Sequence, residues 1–181
     1  MQIQVIIMIE NIKNINDISK LINDIIILRC SSNSEINNIV DTINSDMFEC
    51  VQVLDPNAVI NSTHLIGAYA NAINAFNEHT NISKKLNVEF ILFAAMKREI
   101  NKAIEKIGVK SSKDFVLFAT EKDYNKKELK ILIDKSKKFI KTEKEQINAA
   151  KLYGIDNASK DIKDFNKFVL QKIALSRLSE K

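Results

Sequence analysis

Apolar residues along the chain follow two rhythms, one of period two and one close to 3.6. Between Thr63 and Asn77, Leu65, Ala68, Tyr69, Ala72, Ile73 and Phe76 fall at i, i+3, i+4 and i+7 spacing, which predicts a helix with one buried face. Gly67, Ala68, Ala70, Ala72 and Ala75 keep that helix thin, so another backbone can approach it closely. The run 88–95 (Val, Glu, Phe, Ile, Leu, Phe, Ala, Ala) is short and rich in β-branched and aromatic residues, and predicts a buried central strand. The remaining elements are expected to gather around this helix and strand.

In chain order, 2–9 predicts a strand, and Asn16 or Asp17 caps a short helix carrying Ile18, Leu21 and Ile22. A β-branched strand follows at 25–30, then a helix capped by Ser34 with Ile36, Ile39, Val40 and Ile43 on one face. A strand over 48–54 ends at Asp55-Pro56, a turn dipeptide and the only proline. After 88–95 comes a helix over 98–107, with Ile100, Ala103, Ile104 and Ile107 inward, Gly108 as its stop and Val109 packed back. A short strand at 115–119 is the last. From Asn125 onward the pattern is wholly helical, interrupted at Gly154 and ending in a helix over 159–178. The expected fold is α/β, one domain over 1–181: a mixed sheet of four or five strands wrapped by helices in 1–120, and a helical C-terminal third that is not a separate domain.

Length and composition fit a chain that buries about 70% of its unfolded surface without staples. Hydrophobic content of 45% and charged content of 28% are ordinary for a globular chain. No apolar run approaches a membrane span, and the opening Val5 to Ile9 is too short for a signal-peptide core, so the cytoplasm is the expected compartment. Cys30 and Cys50 sit in apolar runs and are expected as buried free thiols. A net charge of +4 permits a nucleic-acid partner without demanding one.

Little in the chain spells catalysis. No glycine stands in a phosphate-cradling motif, and no cofactor is expected. His64 and His79 are too far apart to share a metal and have no cysteine nearby. Glu89, inside an apolar run, is either a general base or a carboxylate that caps a neighbouring helix or pairs with a lysine at the sheet's edge. Eight lysines lie between 126 and 144, with Lys126, Lys130, Lys137, Lys141 and Lys144 on one side of the predicted helix. A solvated face explains them, and an RNA-backbone contact is the alternative. Lys97, Arg98 and Lys102 form a smaller cluster where the predicted strand ends and a helix begins, a common ligand position in α/β folds. Asn61 and His64 join that end if 88–95 runs antiparallel to the preceding helix. In the last helix Ile162, Phe165, Val169 and Ile173 form one stripe, while Phe168, Leu175 and Leu178 fall on the other side. Either the lysine-rich helix or a partner chain covers that second face.

The ordered set at 55–109 resembles a known family. Asp55-Pro56 leads into a small-residue helix with His64-Leu65, Ala68 and Ala72; Glu89-Phe90-Ile91-Leu92-Phe93 follows; then Ile100, Ala103-Ile104 and the stop Ile107-Gly108-Val109. This is similar to KEOPS subunits of the PRPK-binding protein (TPRKB) type, in their archaeal form, and element order extends the likeness to nearly the whole chain. One departure is Ala94-Ala95-Met96-Lys97, where many members carry a Ser-Pro turn. The resemblance implies a non-catalytic subunit of the complex that installs threonylcarbamoyl-adenosine on tRNA. It also implies binding to the kinase-like ATPase subunit through C-terminal helices, here Phe168, Leu175 and Leu178. For archaeal members it implies a grip on the 3′ CCA end of tRNA; the residues expected to hold that end are Lys97, Arg98, Lys102, Asn61 and His64, with Lys137 and Lys141 as backbone contacts indifferent to CCA. The rival readings are a small RNA-modifying or nucleotide-processing enzyme built on Glu89, and a pure protein-interaction module.

Overall fold

The computed structural model describes residues 25–31, 48–111, 113–121, 137–155 and 162–177. The strand expected at 2–9, the helices expected after Asn16 and Ser34, and Leu178 lie outside these residues. In chain order the elements are β1 (Ile25–Ser31), β2 (Phe48–Leu54), α1 (Ser62–Asn77), α2 (Leu86–Ala95), α3 (Ile100–Ile107), β3 (Asp114–Glu121), the two-residue β4 (Lys137–Lys138), α4 (Glu143–Lys151) and α5 (Ile162–Leu175).

β3 lies between β2 and β1, and the β4 residues pair along the outer side of β1. Every pairing among the described residues is antiparallel, with Cys30 opposite Phe115 and Leu54 opposite Val116. Among the described residues the sheet is therefore antiparallel rather than mixed, with three full strands and the two-residue β4 as its fourth member. One face presents Val116 and Phe118 to the helices, and Phe90 of α2 stacks on Phe118 with ring centroids 4.3 Å apart. Tyr69 of α1 completes this cluster and donates its hydroxyl to Thr120 at 3.3 Å. The other face gathers Cys30, Phe115 and Leu117. Cys30 and Cys50 are both buried and free, and burial pushes the Cys30 thiol up to about 11.

The largest departure from the sequence pattern is 88–95, which is not a strand but the body of helix α2. α2 packs on α1, α3, α5 and β2, so nearly every side meets protein and no polar face remains to mark a helical period. Aromatic and β-branched content then mimics a buried strand. Including Leu86 and Asn87 gives ten residues, about 15 Å of helix.

A second departure concerns the lysine-rich stretch. Lys137 and Lys138 pair in the sheet, and the next helix starts only at Glu143, behind a capping box between Thr142 and Glu145. No single helix aligns Lys137, Lys141 and Lys144. In α3, Ala103 and Ile107 face inward while Ile100 and Ile104 are exposed, and Val109 is exposed as well.

Close approach explains two glycines. A β-carbon on Gly67 would collide with the Leu170 side chain, so the thin face of α1 is what lets α5 settle on it. One on Gly108 would stand 2.5 Å from the Ile104 carbonyl oxygen, although the residue keeps an ordinary negative φ. Gly154, at φ +67, ends the turn after α4 in the left-handed region.

Candidate functional site

The loop 58–61 leading into α1 is held by four side chains from distant parts of the chain. Tyr153 donates its hydroxyl to the Ala58 carbonyl at 2.7 Å, and Lys141 donates to the Val59 carbonyl at 2.7 Å. His64 accepts the Ile60 N–H on Nδ1 at 3.2 Å and donates from Nε2 to the Ala94 carbonyl at 2.8 Å. These partners fix the neutral tautomer with its proton on Nε2. Burial above all, then the charges of Lys106 and Lys141, push His64 down to about 4 against the pull of the Ala94 bond. Asn61 caps α1 by accepting the His64 N–H, and its amide donates to Gln146 and Asn166 at 2.9 Å each.

These bonds bring the start of α1 beside the end of α2, the juxtaposition expected from the sequence, though between two helices. They also occupy the residues involved. His64 is 0% exposed with both ring nitrogens engaged, and Asn61 spends its amide inside the fold. Lys141 is half-buried on Val59, with burial lowering its pKa. All three are accounted for as internal fastenings.

Lys97 and Arg98 stand elsewhere, in the link between α2 and α3. α2 stops because Met96 adopts φ +52, so that Met96 and Lys97 donate back to the carbonyls of Phe93 and Leu92 at 3.0 Å each. Glu99 then takes the N-cap position of α3 without a side-chain cap, and pairs with Lys102 at 2.6 Å. That carboxylate tempers the positive start the sequence pattern had suggested.

Two further lysines reinforce this corner. The Lys106 ammonium lies 4.0 Å over the ring of Tyr153. Half-burial first, then the like charges of Lys97 and of Lys172 from α5, push Lys106 down to about 8. The basic surface thus draws on the α2–α3 link, α3 and α5. Lys102 and Lys106, four residues apart on one helix, carried a readable signal for the first addition. Nothing in the sequence linked Lys172 to them.

Glu89 is 0% exposed in the first turn of α2. Its Oε2 accepts the N–H groups of Ile82 and Ser83 at 3.1 and 2.8 Å, and its Oε1 accepts from Arg177 Nη2 just past α5. The Arg177 guanidinium also stacks on Phe93, 4.1 Å from the ring centroid. Glu89 is thus a paired carboxylate, but its partner is an arginine just past α5 and not the lysine at the sheet's edge that the sequence suggested.

α5 has two faces. Phe165, Val169 and Ile173 are buried against the body, as the stripe predicts. Phe168 and Leu175 point outward, 52% and 53% exposed, and they lie seven residues apart on one side of the helix. The kinase binding protein CGI-121 family model matches residues 9–177, nearly the whole chain. The chain belongs to the kinase-binding protein CGI-121 family. No curated protein matches it in a sequence comparison. Among the described residues no helix is long and apolar enough to cross a membrane.

Proposed function

We propose that this chain is a non-catalytic, cytoplasmic subunit of the KEOPS complex. It binds the kinase-like ATPase subunit through Phe168 and Leu175 on the outer face of α5. It recruits tRNA by the single-stranded 3′ CCA end at Lys97, Arg98 and Lys102, with Lys106 and Lys172 adding charge, and so supports threonylcarbamoyl-adenosine modification.

The observation that carries this reading is the two-faced helix α5, in a family described as kinase-binding. Large apolar side chains at this spacing form the anchors of a helix-face contact. The RNA half is supported by the convergence of Lys97, Lys106 and Lys172, which leaves Lys106 opposed by like charge until an anion arrives. Glu89, saturated by its internal bonds, is read as structural rather than catalytic.

The test is retention of the kinase-like subunit by immobilised full-length chain. Leu175→Glu places a carboxylate in the contact, at several kcal/mol, and should abolish retention while the isolated chain melts as the parent does. Undiminished retention removes this face as the contact.

A further inference from the structure

Three lysines have oxygen partners inside the fold: Lys102 pairs with Glu99, Lys110 donates to the Glu105 carbonyl and Lys141 donates to the Val59 carbonyl. Among the described residues Lys106 has no such partner. Its half-buried ammonium lies 4.0 Å over the Tyr153 ring, whose own hydroxyl is committed to the Ala58 carbonyl. Burial pushes the Tyr153 phenol well above its ordinary range, so the ring offers a π face and no phenolate.

Two elements aim positive charge at this amine: Lys97 from the α2–α3 link and Lys172 from α5. An amine desolvated beside other cations gives up its proton more readily, a general way of making lysine a nucleophile. At about 8, against 10.5 for an ordinary lysine, roughly 10% of Lys106 is free amine at pH 7, where an ordinary lysine keeps about 0.03%. The lower basicity returns part of that gain in reactivity. The same two cations concentrate anions around the nitrogen, so an anionic electrophile is drawn to an amine ready to attack it.

Resting on the proposed RNA surface, we propose that Lys106 is an acylation site for small acyl phosphates, and that acylation removes its share of the grip on RNA. The Nζ lone pair forms a bond to the acyl carbon, the bond from that carbon to the phosphate oxygen breaks, and phosphate leaves with the electron pair. The surplus amine proton passes to solvent, and nothing is oxidised or reduced. A neutral amide then stands beside Lys97 and Lys172 where the ammonium stood, and it no longer pairs with an RNA phosphate. Bound RNA works in the opposite sense, because its phosphate keeps the amine protonated and covers it. RNA and the acyl donor therefore compete for one nitrogen, and a chain already holding tRNA is protected.

The experiment treats the full chain with acetyl phosphate near neutral pH and follows each lysine by peptide mass spectrometry. Lys106 should be acetylated about tenfold faster than Lys102 or Lys110. Lys97→Gln should slow Lys106 about two- to threefold, although it clears space around the amine, because a repelling charge is lost. A Lys106 no faster than Lys102 and Lys110 overturns the site. So does an unchanged or faster rate in Lys97→Gln, which would leave exposure alone as the cause. Saturating intact tRNA should cut the Lys106 rate about tenfold, and Lys106→Gln, standing for the acetylated side chain, should bind tRNA about threefold more weakly. Fast, selective acetylation that tRNA does not slow supports the site and overturns its link to RNA. If intact tRNA does not bind the parent chain, the RNA surface falls and the switch with it, while the rates at Lys106, Lys102 and Lys110 still decide the site.

Discussion

His64 donates from Nε2 to the Ala94 carbonyl oxygen across 2.8 Å, and this bond sets where α1 begins against where α2 ends. Because Nδ1 accepts the Ile60 N–H, one neutral imidazole joins the loop before α1 to the far end of α2. A proton on Nδ1 would break the bond from the Ile60 N–H and bury a charge.

Acid stability should report this ring. His64 is held down to about 4, against 6.5 for an unperturbed imidazole. Between those values the unfolded chain binds the proton and the folded chain does not. Stability from neutral His64 is therefore full above pH 6.5 and falls with pH toward 4, by roughly 3 kcal/mol. Chemical denaturation from pH 7 to 4 checks the slope. His64→Phe should cost about 2–4 kcal/mol at pH 7 and flatten the profile. An unchanged slope would assign the acid sensitivity to other groups.

The packing of α5 on α1 gives a second prediction. Gly67→Ala puts a methyl into the space of the Leu170 side chain and should lower stability by about 1–3 kcal/mol. Adding Leu170→Val should recover part of the loss, because the two positions share one contact. Thermal melts of the four proteins give the coupling directly, and strictly additive effects would contradict the contact.

The titration of Lys106 reports on the proposed anion contact. Its ammonium should titrate near 8 in the free protein when followed by its side-chain NMR signal. Lys97→Gln removes one repelling charge and should move that value upward. Intact tRNA should move it further, since phosphate favours the charged form. An ordinary value near 10.5 in the free protein would dissolve the cluster.

Gel shifts separate the basic residues by role. Removing CCA should cost on the order of 3 kcal/mol for two or three stacked bases. Arg98→Ala should weaken intact tRNA about tenfold or more and tRNA lacking CCA hardly at all. Lys141→Met should instead lower the melting temperature and spare RNA affinity, because that ammonium is spent on the Val59 carbonyl. A Lys141 effect on RNA with an unchanged melt would return the lysine to the binding surface.

How far the sequence spoke depended on whether an element kept one wet face. β2 was legible to its last residue, Leu54, because alternation and Asp55-Pro56 bound it, and α1 because small and large residues segregate around it. α2 was misread because burial on nearly every side erased the helical period around Phe90 and Phe93. The outward pair Phe168 and Leu175 was visible as a surplus stripe. Arg177 was not, since a single arginine near a chain end says nothing about a buried carboxylate 88 residues away. Asn61 and His64 stood in the expected place with their polar atoms turned inward, a matter of rotamer and partner that spacing does not encode.

Recruitment is tested most directly by the tRNA affinity of the kinase-like subunit with and without this chain bound to it. The paired complex should hold intact tRNA more tightly than the subunit alone, and the gain should vanish with tRNA lacking CCA. Equal affinities for the subunit alone and for the pair would contradict the account.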